Sequence, residues 1–343
     1  MNIKNSYIFL TMAMAAILSV GLFACSGDDD DDSNSLSVPP YKDSSALYAV
    51  TQPGSGYSSF EFTESGNYLI VKEQTSTRAL DNATYVMAVL VVSLQQTDLS
   101  RSTPNDNIIT GKYTKSGNDT YILEGFGVIK VKTDIGNNVM LEITETNRET
   151  YILSVAKKEQ IPGSERTDKL CRTWHVANLR MTLTGTAIIG NESYDFSFDE
   201  SVNGGNIADL MYKVFTGIIN WSINVSKKGV SQDYVNEVLA SEKTKIHATY
   251  KTVDNIIFTK AGTNLITYDD GSLAVSTWSW GSGVTNSLHY SWSYKDIDGL
   301  GSGNCGVEFY GNHCVLFEET ANISIDIIRN ANTNIIYTLE EAR

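Results

Sequence analysis

Apolar residues between positions 46 and 158 recur mainly at every second place, the period of a half-buried strand. Phe60 and Phe62 alternate with polar neighbours, residues 64–67 read as a turn, and an apolar run at 68–71 follows. Together these form a hairpin pattern. Residues 85–94 make a continuous Val-rich run that reads as a buried strand. Alternation resumes over 121–132, 139–146 and 150–156, with turns at 134–138 and 147–149. Nothing in this half has helical spacing. Residues 161–168 form a polar, turn-rich break that reads as a linker.

The second half restarts at residue 169, with strands expected at 180–189 and 193–198. Two helices then interrupt the β pattern. Ile207, Leu210, Met211, Val214, Phe215 and Ile218 fall at helical spacing behind Asn206, a suitable N-cap. Ser231 is placed to cap a second helix carrying Tyr234, Val235, Val238 and Leu239. Further strands are expected at 256–259, 265–268, 273–280, 288–295, 307–310, 314–318, 323–329 and 335–339. Such an antiparallel meander closes into a barrel or stacks as a sandwich. The expected fold is mostly β, with two antiparallel β domains at residues 41–160 and 169–343, the second with two inserted helices. Residues 62–70 and 258–266 agree at five of nine positions, each reading as strand, Gly-containing turn, strand. Duplicated domains and the convergence of unrelated hairpins both account for that echo.

The first 24 residues do not belong to this pattern. Lys4 is followed by an apolar stretch at 7–24 that ends in small residues, and Cys25 comes next. That is the form of a secretory signal peptide. Leu22, Phe23, Ala24 and Cys25 resemble the lipobox of bacterial lipoproteins, with Phe23 standing where a smaller residue is usual. The resemblance implies that Cys25 becomes the mature N-terminus and carries the acyl chains that anchor it to a membrane. Asp28, Asp29, Asp30, Asp31 and Asp32 follow. Five like charges in a row stay solvated, so residues 25–40 read as an extended tether. The run also resembles the acidic export signal of Bacteroidetes-type surface lipoproteins, which implies an outer-membrane protein exposed on the cell surface.

Charge then changes the picture. The chain has 26 basic and 40 acidic residues, a formal net charge of -14. Lys4 leaves with the leader and five acids sit in the tether, so residues 33–343 keep 25 basic against 35 acidic residues. The folded part is moderately acidic, which argues against a nucleic-acid partner, since phosphate binding needs clustered Lys and Arg. Besides Cys25 there are Cys171, Cys305 and Cys314, an odd number for an exported chain. A turn at Gly311 and Asn312 sets Phe309 opposite Cys314, so no disulfide is secured by register. The cysteines read as buried thiols.

Leu170, Cys171, Arg172, Thr173 and Trp174, at the start of a meander, resemble the opening strand of lipocalin-like (calycin) domains. Arg172 stands where that motif has glycine. The resemblance implies that Trp174 plugs the closed end of a barrel and that an arginine from a late strand, Arg329, covers its ring. Trp174 as an ordinary sandwich core residue is the competing reading.

The one concentration of chemistry is aromatic. Trp278 and Trp280 alternate on one expected strand, and Tyr290, Trp292 and Tyr294 on the next, with Ser and Thr between them. A half-buried strand whose core face is aromatic shows this pattern, and so does a ligand-lined wall. Gly301, Gly303 and Gly306 spell GxGxxG, but a strand and not a helix follows, so the segment reads as a turn. Asp296 and Asp298 lack the rest of a calcium loop. His175, His247, His289 and His313 are scattered, and neither HExxH nor GxSxG occurs. No metal site and no cofactor are expected. The expected function is a non-enzymatic surface binding module for a small apolar or glycan ligand. An extracellular polysaccharide hydrolase, whose acids would come from pairs such as Glu318 and Glu319 or Asp269 and Asp270, is one alternative. A structural or partner-docking lipoprotein is the other.

Overall fold

The computed structural model describes residues 45–63, 66–73, 108–117, 119–189, 191–226, 231–271, 273–281, 286–292, 302–325 and 328–342. The run at 85–94, Cys25 and the five aspartates lie outside them. Two closed antiparallel β barrels of eight strands each make up the fold.

The first barrel is an unbroken meander of β1 (Ser45–Val50), β2 (Tyr57–Thr63), β3 (Asn67–Lys72), β4 (Ile108–Ser116), β5 (Thr120–Leu123), β6 (Gly127–Thr133), β7 (Val139–Glu145) and β8 (Tyr151–Lys157), closed by β1 pairing with β8. The alternation is what closes it. Phe60, Phe62, Ile70, Ile129, Leu141, Ile143 and Leu153 share one face and meet in a single core. Each fully buried side chain of this kind contributes about 1.5–3 kcal/mol. The barrel is tight enough that eight strands are filled by side chains. The alternating run at 121–132 is two strands, because Phe126 N donates to Leu123 O in a turn and Gly127 takes φ 141°. Strand β4, half-buried over 108–111 and exposed at Lys112, Thr114, Lys115 and Ser116, was not among the expected strands.

The second barrel begins with a short helix, α1 (Glu165–Leu170), inside what reads as linker. Ser164 Oγ accepts from Thr167 N and caps it. Then come β9 (Thr173–Ile189), β10 (Glu192–Asn203), β11 (Gly205–Asn206), α2 (Ile207–Ser226) and α3 (Gln232–Thr249). The chain ends with β12 (Thr252–Phe258), β13 (Thr263–Tyr268), β14 (Leu273–Trp280), β15 (Ser287–Trp292), β16 (Ser302–Tyr310), β17 (His313–Ile325) and β18 (Ile328–Glu341). Strand β9 pairs with both β18 and β12, and this closes the ring. Strand β10 lengthens β9 into a ribbon, and α2 packs on that ribbon and on β12. Asn206 Oδ1 accepts from Asp209 N, capping α2. Ser231 stands at the N-cap of α3 without a side-chain bond. Leu210, Met211, Val214 and Ile218 of α2 join the same core as Ile256, Trp278 and Val307. Helix α3 packs on α2 through Phe215, Ile219 and Val235.

Three sequence expectations are corrected here. Residues 323–329 are not one strand: β17 ends at Ile325 and β18 starts at Ile328. Ser302 to Gly306 belong to β16, where Gly306 leaves room for the Phe317 ring, which a Cβ would meet at 2.0 Å. Arg329 does not cover Trp174. It pairs with Thr186 at the far end of β18, whereas Trp174 pairs with Glu341. Arg172 supplies the cation instead, 5.4 Å above the Trp174 ring.

The barrels meet through their outer walls. Leu69, Val71 and Ile108 of the first pack against Ile257, Leu265, Leu273 and Val275 of the second. Thr263 Oγ1 donates to Glu61 Oε2 across the junction at 2.6 Å. Among the described residues no helix is long and apolar enough to cross a membrane.

Candidate functional site

Strand alternation decides which residues face the lumen of the second barrel. In β14, Leu273 and Val275 face the first barrel, so Ala274, Ser276 and Trp278 point inward. Strand β15 sets Tyr290 opposite Trp278 and Leu288 opposite Trp280. Trp278, Trp280 and Tyr290 are thereby brought onto one wall, and all three pack into the barrel core. Trp292 stands opposite Ser276 by register, and Tyr294 lies outside the described residues. Trp278 is 3% exposed, with Phe258 and Trp280 edge-on at 5.8 and 5.5 Å.

Helix α1 closes this end of the barrel. Trp280 Nε1 donates to Thr167 Oγ1 at 3.0 Å and Trp278 Nε1 to Thr259 O at 3.0 Å. Trp174 Nε1 donates to Leu170 O at 2.9 Å. Arg166 lies 4.3 Å above the Trp280 ring and donates to Val307 O at 3.1 Å. Arg172 pairs with Glu341 at 2.8 Å. The indole N–H groups of Trp174, Trp278 and Trp280 are thus spent on protein oxygens, which fixes the rings as the floor and lower wall of the lumen. Burial pushes the Cys171 and Cys314 thiols up to about 12. Cys171, Cys305 and Cys314 are all buried, and Phe309 stands opposite Cys314.

One step up the same wall the chemistry changes. Asn264 of β13 and Ser276 of β14 stand directly opposite one another, both inward and both buried. Asn264 Oδ1 and Ser276 Oγ have no hydrogen-bond partner among the described residues. A buried polar atom left so costs about 1–3 kcal/mol. Two together, beside Trp278, make a buried polar feature of this wall with no partner among the described residues. Neither residue stood out in the sequence, because Asn and Ser in a strand are common on the solvent face. What could have found them is their place in alternation with Ile266 and Trp278.

A second constellation, in the first barrel, also escaped the sequence reading. Tyr57 Oη and Tyr151 Oη both donate to Glu145 Oε1, at 2.7 and 2.5 Å, and Arg148 Nη1 pairs with Oε2 at 3.0 Å. Burial works to raise the Glu145 carboxyl, but the two phenols and Arg148 outweigh it and hold the group below its usual range. Burial and the Glu145 charge push the Tyr151 phenol upward. The two phenols and both carboxylate oxygens are partnered within the set, so it ties β2, β7 and β8 together at the barrel rim.

His175 and His289 are exposed. Asp270 is paired with Lys251 at 2.6 Å in a turn. No group of three or more His, Cys, Asp or Glu able to hold a metal occurs among the described residues. Set against known proteins, the chain matches no family model, no curated protein and no solved structure.

Proposed function

We propose that this protein is a lipid-anchored surface protein whose second barrel binds a small ligand on the wall formed by Trp278, Tyr290, Asn264 and Ser276. The lipobox-like Cys25 and the Asp28 to Asp32 run support the address, and Trp280, Trp292 and Tyr294 complete the aromatic set proposed to flank the ligand. The observation that carries the binding reading is the pair of buried, unpartnered oxygens beside an aromatic face. Flat rings suit apolar ligands and the C–H faces of sugars, and a ligand hydroxyl or amine would satisfy both oxygens. Helix α1 closes one end of this barrel and α2 contributes Leu210, Met211, Val214 and Ile218 to its core, so entry requires packed side chains to yield and association is expected to be slow.

A structural or partner-docking role is the second reading. The observation favouring it is that both barrel interiors are filled by their own side chains. One experiment separates the two. The full chain would be titrated with N-phenyl-1-naphthylamine and screened on a glycan array, beside the Asn264→Leu/Ser276→Ala variant. Removing two unpartnered groups is expected to raise the thermal midpoint and to abolish binding together. Binding that survives the double substitution would move the site elsewhere. No binding by either chain would leave the structural reading.

A further inference from the structure

The five-of-nine echo between residues 62–70 and 258–266 occupies the same place in each barrel. It is the hairpin β2–β3 in the first ring and β12–β13 in the second. Gly66 and Gly262 both sit in the turn, with φ of 85° and 87°. Their N–H groups donate to Thr63 O and Thr259 O at 3.1 Å each, and their carbonyls accept from Tyr113 N and Trp278 N at 2.7 Å each. The next strand repeats the arrangement with different side chains. Tyr113 Oη donates to Thr63 O, and Trp278 Nε1 donates to Thr259 O.

The match extends around both rings. Taking Phe62 as equivalent to Phe258 makes Tyr113 equivalent to Trp278 through the neighbouring registers. The following strands then equate Leu123 with Tyr290 and Gly127 with Gly303. From there the pairings lead to Val155 with Leu339 and Tyr48 with Trp174. The last step, from β1 to β2 and from β9 to β12, equates Phe60 with Ile256. That is the offset with which the count began. A ring of eight strands closes consistently on another only if strand number and stagger are the same. Helices α2 and α3 and strands β10 and β11 are then an excursion between the first and second strands of the second ring.

The equivalence reaches the surface where the barrels touch. Leu69 corresponds to Leu265 and Ile108 to Leu273, and all four lie in the one apolar cluster between the barrels. Unrelated barrels have no reason to present matching strands to one another. We infer that the chain is one eight-stranded unit written twice, and that the two copies dock through the same face of that unit, as the halves of a symmetric dimer would. The partner this face fits is a second copy of the same barrel, carried here in the same chain. This inference does not depend on the ligand proposed above.

The test uses the full chain with Leu69→Glu, Leu265→Glu and both together, read by calorimetry and small-angle scattering. Each single change is expected to split one thermal transition into two and to increase the radius of gyration to the same extent. The double change is expected to add nothing further, because either one already opens the shared face. Additive effects, or an effect from one side only, would overturn the inference. Leu69→Ser and Leu265→Ser, which place no charge on the face, cover the case in which Glu unfolds a barrel. Equal downward shifts of the midpoint support the inference and unequal shifts refute it. As a control, Ile152→Glu on an exposed outer position of the first barrel is expected to leave both readouts unchanged.

Discussion

Single side chains in this protein carry a pH dependence that burial creates. The Cys171 and Cys314 thiols move from 9.0 to about 12, and desolvation lifts the Tyr48 phenol from 10.0 to about 12. A group whose folded pKa is raised keeps its proton in the fold after the unfolded chain has lost it. The stability such groups give is intact below pH 9 and is lost as pH rises toward 12. Urea midpoints measured from pH 8 to 11.5 are expected to fall, and a Cys171→Ala/Cys314→Ala chain to fall less steeply. An equal slope in both chains would show that the thiols take no part. The sequence indicated that these cysteines are buried. It did not reveal that Arg172, rather than Arg329, lies over Trp174, because that depends on which end of β18 meets the start of β9.

Elements obey their local signals where those signals are strong. Helix α2 carries its apolar residues at helical spacing and a working Asn206 cap, and it forms where the pattern places it. Strands broke from the pattern where a tight turn hides inside an alternating run, as at Glu124, Gly125 and Phe126, because so short an interruption leaves the apolar alternation on either side intact. Helix α1 is six residues long, too short for periodicity, and it exists because the barrel end needs a cover. Leu170, fully buried at that end, is its anchor. Leu170→Ala is expected to cost about 2–5 kcal/mol by chemical denaturation. It is also expected to shift the Trp fluorescence to the red as water reaches Trp174 and Trp280. A loss below ~1 kcal/mol with unchanged emission would mean that α1 is not the plug.

At the scale of the whole molecule, two barrels follow a run of five aspartates in the sequence. If Asp28 to Asp32 form an export signal, replacing all five with alanine is expected to leave acylation of Cys25 intact and to remove the protein from the cell surface. Protease treatment of intact cells, with mass spectrometry of the N-terminal peptide, reads both. Continued cleavage of the variant at the surface would reduce the run to a spacer.

The sequence by itself determined the β class, helices α2 and α3, and the aromatic strands, expected at 273–280 and 288–295 and found at Leu273–Trp280 and Ser287–Trp292. These are encoded locally, in the period of the hydrophobic pattern and in short motifs. Closure of each ring, the α1 cover on the second barrel, the two unpartnered oxygens and the Glu145 rim were decided only by tertiary structure. Each depends on register between strands up to a hundred residues or more apart, and register is set by how whole faces pack, which no local pattern contains. The five-residue echo belongs to both: it was visible in the sequence, but only the consistent closure of the two rings gave it meaning.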